Sequence, residues 1–168
     1  CPVNDQLSIG AYVIFGDPEL TVACARELLK LAPVYDYILS PEAKSIPLVH
    51  EMARQHQDKK YILARKSPKL YMSDVFETQV KSITTEKLQK LYLDKADAEL
   101  MRGKRILIVD DVVSTGGSLR AVEELANQAG GIIVGKMAIL AEGDAQKRED
   151  LIYLATLPVF NPDGTVKE

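Results

Sequence analysis

The chain has 168 residues, of which 46% are apolar and 27% charged, a balance typical of one globular domain with a sizeable core. Its formal net charge is −3 at pH 7, so no basic field predicts a nucleic-acid partner. No apolar run approaches the length of a membrane span and no signal peptide is visible, so we expect no membrane partner. Cys1 and Cys24 make no disulfide framework, which favours a reducing, cytoplasmic setting. We expect residues 1–168 to form a single domain.

The first helix is predicted from its N-terminal signal and its apolar spacing. The run 17–19 reads Asp-Pro-Glu, in which the Asp side chain can cap a helix and Pro is tolerated in its first turn. An alternating stretch at 11–15 indicates a strand before it, and we expect the helix to stop at Pro33. Its buried face is expected to comprise four residues: Leu20, Cys24, Leu28 and Leu31.

Polar residues follow the next two predicted strands. A buried strand at 35–39 leads into a turn with Lys44 and Ser45, directly before a second helix over about 47–57. Backbone N–H groups at a helix start favour anions. A third apolar strand, 61–64, ends in three cations: Arg65, Lys66 and Lys69. Three cations at one strand end suit a polyanion better than a core, and a solvated surface patch is the alternative.

Residues 70–95 lack a helical period and alternate polar with apolar side chains. This pattern indicates two polar-faced strands with a mobile tip near 82–86, inserted between two strands of the sheet. An ordinary exposed hairpin is the alternative.

Residues 106–118 carry the strongest signal in the chain. Residues 106–109 are apolar and mostly β-branched, which predicts a buried strand. Asp110 and Asp111 come at its carboxyl end, and a Ser-Thr-Gly-Gly-Ser turn at 114–118 then precedes a helix. Glycines, hydroxyl groups and a helix N-terminus suit a phosphate. Two acids would repel an anion, so they suit hydroxyl groups or a hydrated cation beside it.

The remaining pattern sets the expected fold class. A helical turn at 97–103, a long strand at 132–140 and a short strand at 152–154 continue the alternation of strands and helices. We therefore expect an α/β fold with a mostly parallel sheet flanked by helices. The tail from 157 to 164 is expected to be irregular and to fold back as a cover. Neither a Walker loop nor a dinucleotide fingerprint is present. For residues 106–118, the alternative to a phosphate site is a strand, a turn and a helix whose two acids are incidental.

Residues 106–118 resemble the phosphoribosyl-diphosphate signature of the type I phosphoribosyltransferases: four apolar residues, two acids, a short spacer and a Thr-Gly loop. The resemblance spans residues 36–140 in the order that the family requires, and 42–45 resembles its pyrophosphate loop. The hairpin length and the 44–47 sequence look most like adenine and xanthine enzymes, and like a purine-responsive repressor of related fold. Adenine enzymes usually have Arg-Gly in place of Lys44-Ser45, which leaves the base open.

The resemblance implies transfer of a 5-phosphoribosyl group from 5-phosphoribosyl 1-diphosphate to a purine base, adenine first, with release of pyrophosphate, as in purine salvage. Asp110 and Asp111 are expected to hold the ribose hydroxyls, directly or through hydrated Mg²⁺, which is held mainly by substrate and water. Glu86 is a candidate for activating the base nitrogen. The residues expected to bind substrate are Lys44, Ser45, Arg65, Lys66, Lys69, Lys81, Val112, Val113, Ser114, Thr115, Gly116, Gly117 and Ser118.

The resemblance further implies a flexible β-hairpin lid over about 70–95, a small hood built from the chain ends, and a homodimer. Two other functions stay open. One is a regulatory protein that senses phosphoribosyl diphosphate without catalysis, although such a repressor usually carries a DNA-binding domain or a basic surface. The other is a phosphoribosyltransferase for a different acceptor, because the hood that selects the base lies in the poorly matched ends.

Overall fold

The computed structural model describes residues 2–4, 7–70, 72, 74–81 and 88–167. In chain order its strands and helices are β1 (Pro2–Asn4), β2 (Leu7–Ile9), α1 (Pro18–Leu31), β3 (Tyr37–Pro41), α2 (Ile46–His56), β4 (Ile62–Ala64), β5 (Val75–Lys81), β6 (Leu88–Asp94), α3 (Lys95–Met101), β7 (Arg105–Val113), α4 (Gly117–Gln128), β8 (Ile132–Glu142), a 3-10 helix (Gly143–Lys147), β9 (Ile152–Leu157) and β10 (Val159–Phe160). No described helix is both long enough and apolar enough to cross a bilayer.

The central sheet has five strands in the order β4-β3-β7-β8-β9, and every neighbouring pair in it is parallel. This confirms the expected α/β class with a mostly parallel sheet. Because β7 lies in the middle, the residues at its carboxyl end are flanked by strand ends on both sides. The order of the strands therefore brings the loops after β3, β4, β7 and β8 to one edge.

Strand β7 is longer than its sequence predicts. The prediction ended the strand at Val109, whereas the observed strand includes Asp110 and Asp111 and runs to Val113. It continues because β8 is long enough to pair with it throughout: Asp110 lies opposite Ala138 and Val113 opposite Ala141. The two acids are thus fixed by the sheet ladder and not by a loop.

The sheet separates two apolar cores. One core contains Ile106 and Ile108 of β7 with buried residues of α3 and α4, and the other contains Leu107 and Val109 with buried residues of α1 and α2. Alternate β7 side chains point to opposite faces, so a continuous apolar run serves both cores. This burial on both faces is the usual setting of a parallel strand.

Helix α1 begins where predicted, with the Asp17 carboxylate accepting a hydrogen bond from the Leu20 N–H at 2.9 Å. Its predicted buried face was half wrong: Leu20 and Leu31 are 37% and 52% exposed. The buried stripe comprises Thr21, Cys24, Ala25 and Leu28. The helix is rotated so that small residues face the sheet, and hydrophobicity alone does not show that rotation.

The strand predicted at 11–15 was wrong, because this stretch is irregular. Ile14 is buried, Val13 and Phe15 are exposed, and the chain turns directly into α1 through a hydrogen bond from Asp17 N–H to Ile14 O at 3.3 Å. The chain ends instead form a separate antiparallel sheet of β1, β2 and β10, which we call the end sheet. The end sheet confirms the expected hood. The tail from 157 to 164 was predicted to be irregular, and this was wrong in part, because β10 in this tail is a strand of the end sheet.

Strands β5 and β6 pair antiparallel from Val75 opposite Asp94 to Lys81 opposite Leu88. The two strands expected in this part of the chain are therefore present. Their expected tip lies outside the described residues. The base of the pair is tied to the sheet, because Arg65 and Tyr92 exchange two backbone hydrogen bonds of 2.8 Å.

The packing at Gly135 gives a testable prediction. A Cβ at this position would lie 2.9 Å from Pro33 Cγ and 3.1 Å from Leu107 Cδ1. Because a proline ring yields little, Gly135→Ala should lower the free energy of unfolding by about 1–3 kcal/mol. Urea denaturation followed by circular dichroism measures this. Ile132→Thr, at an exposed position of the same strand, is the control, and equal midpoints for both variants would contradict the packing.

Candidate functional site

Three cavities meet at the carboxyl end of β7. The first, of about 110 Å³, is lined by 112–119 together with Asp110. The second, of about 450 Å³, contains three lysine side chains and is called the lysine cavity; its lining is 41–44, Lys66, Lys90, Leu91, 110–112 and Ser118. The third, of about 330 Å³, lies against the end sheet and is called the end-sheet cavity; its lining is 9–13, Lys44, Asp111, Val112, Glu142 and Leu157.

The acidic pair, Asp110 and Asp111, lies where these cavities join. Asp110 lines the first and second, and Asp111 lines the second and third. Val112 lines all three. A ligand that extends through the three cavities would therefore pass along the acidic pair at its middle.

The acidic pair is almost fully buried, with Asp110 8% and Asp111 6% exposed. The Asp111 N–H donates to Asp110 Oδ1 at 2.9 Å, whereas Asp111 Oδ2 has no hydrogen-bond partner among the described residues. Burial, and then the neighbouring Asp111 charge, hold the pKa of Asp110 well above its usual range. Such a site stabilises a cation or a hydroxyl donor.

The acidic pair fits Mg²⁺ only as an ion shared with a ligand. No group of three or more His, Cys, Asp or Glu side chains in the described part of the chain could hold a metal by itself. Mg²⁺ usually binds through one or two carboxylates together with substrate phosphates and water. Two adjacent carboxylates, one with an unpartnered oxygen, meet that requirement.

The 114–118 turn, which we call the phosphate loop, has the backbone that an anion needs. Gly116 has φ +75°, in the left-handed region, and it starts α4 without a side-chain hydrogen bond at the cap. The first residues of α4, 117–119, line the small cavity, and N–H groups at a helix start favour anions. Val113 is 3% exposed and packs in the core, so it can contribute only its backbone.

Lys44 and Lys66, both predicted to bind an anion, line the lysine cavity. Lys90 also lines it, and sequence reasoning missed this residue. Its Nζ lies 2.9 Å from Glu77 Oε1 on the paired strand. A lysine in an exposed hairpin looks ordinary in sequence. The tie between Arg65 and Tyr92 helps to place β6 beside the cavity.

The Ser45 side chain differs from its prediction, because its hydroxyl lies outside the described lining of all three cavities. It is buried and donates to the Pro41 carbonyl at 2.7 Å. Ser40, which lies 2.7 Å from Ser45 Oγ, donates to the Val109 carbonyl at the same distance. The two hydroxyls anchor the loop after β3 to β7, one residue before the acidic pair.

Arg65 and Lys69 also lie outside the described lining of the three cavities. Their side-chain nitrogens are 3.1 Å and 3.6 Å from Glu42 Oε1, and the Lys66 N–H donates to Glu42 at 3.1 Å. Burial opposes ionisation of Glu42, but this N–H and the two cations together hold its pKa below the usual value. The cations therefore stabilise the loop that carries Lys44.

Two predicted residues fall where the side chains are not described. The backbone of Lys81 ends β5 opposite Leu88. Glu86 lies outside the described residues. Their predicted roles stay predictions.

Glu142 is a second residue that sequence reasoning missed. The predicted strand ended at 140, whereas β8 runs on to Glu142, which lies opposite Leu157 of β9. It is 6% exposed and lines the end-sheet cavity. The sequence signal that could have identified Glu142 is an acidic residue after an apolar strand pattern.

Nearby, burial, with the neighbouring Cys24 and Asp111, raises the pKa of Tyr12 to about 12, so its phenol is neutral at pH 7.

The fold and these cavities define an α/β protein with a glycine-containing turn and a buried acidic pair at the end of its central strand. The family model for the phosphoribosyl transferase domain matches residues 28–160, and the chain belongs to this family.

Two relatives carry different names. The chain is 31% identical over 148 residues to a hypoxanthine/guanine phosphoribosyltransferase of Methanotorris igneus, covering 87% of this chain and 73% of that protein. It is 27% identical over 135 residues to an orotate phosphoribosyltransferase of Caldanaerobacter subterraneus subsp. tengcongensis, covering 79% of this chain. The chain spans 60% of the length of that orotate protein.

A solved structure shares the fold. The adenine phosphoribosyltransferase of Thermoanaerobacter pseudethanolicus superposes with a TM-score of 0.73 at 24% sequence identity, covering 85% of this chain and 84% of that one. This likeness supports the α/β architecture with its parallel sheet.

Gly116 gives a prediction about the phosphate loop. A Cβ there would lie 2.9 Å from Arg148 Nη1, and φ is +75°, so Gly116→Ala should cost about 1–3 kcal/mol of stability. The added strain should also weaken binding of ribose 5-phosphate, measured by calorimetry. Adding Arg148→Ala should relieve the contact but not the backbone strain. Unchanged stability and affinity in Gly116→Ala would contradict this loop geometry.

Proposed function

We propose that this chain transfers a 5-phosphoribosyl group from 5-phosphoribosyl 1-diphosphate to a purine base and releases pyrophosphate. The observation that carries the proposal is the position of 110–112, which joins an anion loop, a lysine-lined cavity and a third cavity under the end sheet. The donor has a phosphate at one end, a diol in the middle and a pyrophosphate at the other. The family membership supports the same reaction type.

Each part of the donor has a complementary set of groups. The backbone N–H and hydroxyl groups of the phosphate loop would bind the 5-phosphate. The acidic pair would accept hydrogen bonds from the ribose hydroxyls, and Asp111 Oδ2 is available for this. Lys44, Lys66 and Lys90 would neutralise the pyrophosphate in the lysine cavity. Arg65, Lys69 and Lys81 stay predicted contacts.

The reaction breaks the bond from the sugar C1 to a pyrophosphate oxygen and forms a bond from C1 to a ring nitrogen of the base. As the first bond lengthens, C1 and the ring oxygen become positively charged. The buried acidic pair would stabilise that charge, and it is preorganised by the sheet ladder. The lysines would stabilise the leaving pyrophosphate. The base loses its N–H proton, for which Glu86 is the proposed acceptor.

When bound, Mg²⁺ would add positive charge to the pyrophosphate and help it leave. The residues here that would hold it are Asp110 and Asp111, through its water shell or directly.

The base would occupy the end-sheet cavity, which adjoins Asp111 on the side away from the phosphate loop. Adenine is the base expected from sequence, while relatives are named for hypoxanthine/guanine and for orotate. We therefore propose a purine as the acceptor base and leave the particular purine open at this point. A homodimer, a cytoplasmic location and a role in purine salvage are proposed with it.

The acidic pair should be essential for turnover. Asp110→Asn with Asp111→Asn should abolish pyrophosphate release and leave the fold intact, because the amides keep the shape while removing the charge. Release would be measured with a coupled assay and folding by circular dichroism. Asp144→Asn with Asp163→Asn, two exposed acids, is the control. Full activity of the acidic-pair variant would refute the assigned roles.

A panel of bases distinguishes the candidate functions. With 5-phosphoribosyl 1-diphosphate and Mg²⁺, we expect pyrophosphate release with at least one purine and none with orotate or uracil. Release with a pyrimidine alone would assign a different acceptor. Donor binding without release for every base would indicate the sensing protein.

A further inference from the structure

Glu142 is a buried carboxylate that the proposed donor contacts leave unused. It is 6% exposed, and its Oε1 has no hydrogen-bond partner within the described residues. A buried acceptor without a partner is costly. Because Glu142 lines the end-sheet cavity, a ligand in that cavity could supply the missing donor.

The rest of this cavity suits a flat ring. Ile9, Val112 and Leu157 contribute apolar walls from the end sheet, β7 and β9. A volume of about 330 Å³ lies at the lower end of the range for small-molecule sites. Apolar walls hold a ring by its faces, and the buried carboxylates that also line the cavity, Asp111 and Glu142, orient it by its edges.

The strand register places Glu142 at the far end of such a ring. Asp110 lies opposite Ala138 and Val112 opposite Leu140, so Asp111 is level with Ile139. Glu142 is three residues further along β8, roughly 10 Å at the rise of a strand. A base joined to a ribose at the acidic pair would therefore direct its distal edge to Glu142.

We propose that Glu142 selects the base by accepting hydrogen bonds from that distal edge. This rests on the proposed function. Guanine presents two adjacent N–H donors there, and hypoxanthine presents one. Adenine presents a ring nitrogen whose lone pair opposes the carboxylate. The selected substrates are thus 6-oxopurines, guanine first, in place of the adenine expected from sequence.

The test uses the nucleotide products, because they bind whether or not turnover occurs. GMP should bind the wild-type chain at least about tenfold more tightly than AMP, as expected for a paired rather than an opposed edge. Glu142→Gln should reduce this ratio at least about tenfold, since an amide pairs with either edge by rotating. Glu142→Asp keeps the charge and should keep the preference for GMP. Glu149→Gln, at an exposed acid nearby, should leave the ratio unchanged.

The outcomes distinguish failure of the proposed role of Glu142 from failure of the proposed phosphoribosyl transfer. A wild-type preference for AMP, or a ratio unchanged in Glu142→Gln, would overturn the role of Glu142. If none of the bases tested gives pyrophosphate release but GMP still binds more tightly than AMP, the proposed function is refuted and the selectivity of Glu142 stands. If Glu142→Gln does not fold, the preference in the wild type and in Glu142→Asp still decides the matter.

Discussion

Two neighbouring carboxylates buried at the end of the central strand are the constraint on which the site depends. The backbone of Asp110 and Asp111 is held by pairing of β7 with β8, and both side chains are almost fully buried. Burying both near one another is unfavourable unless a cation or hydroxyl donors approach. The cavities supply room for such partners on both sides. The sheet thus carries two buried acids whose charge a bound cation or hydroxyl donor would compensate.

The surrounding cations are divided between those that pair with Glu42 and those that line the lysine cavity. Arg65 and Lys69 neutralise Glu42, and the Ser40 and Ser45 hydroxyls anchor the same loop to β7. The same loop carries Lys44, which lines the lysine cavity. Lys66 and Lys90 approach from β4 and β6. Positive charge in the cavity therefore comes from three separate elements that the fold alone brings together.

Local chemistry was predictable and tertiary placement was not. The strand at 106–109 and the phosphate loop were recognised because strand, acids and turn are contiguous in sequence. Lys90 was missed because its position depends on the backbone tie of the hairpin to Arg65. Glu142 was missed because nothing local shows that β8 continues past residue 140 and pairs with β9 there. The burial of Ser45 likewise depends on Ser40, which belongs to the preceding strand.

The central claim is that one donor molecule spans the cavities with its sugar at the acidic pair. A crystal structure of the chain soaked with 5-phosphoribosyl 1-diphosphate and Mg²⁺ measures this directly. The account predicts the 5-phosphate at residues 114–118, the ribose hydroxyls within hydrogen-bond distance of Asp110 and Asp111, and the pyrophosphate beside Lys44 and Lys66. A donor bound elsewhere, or with its ribose away from both carboxylates, would contradict it.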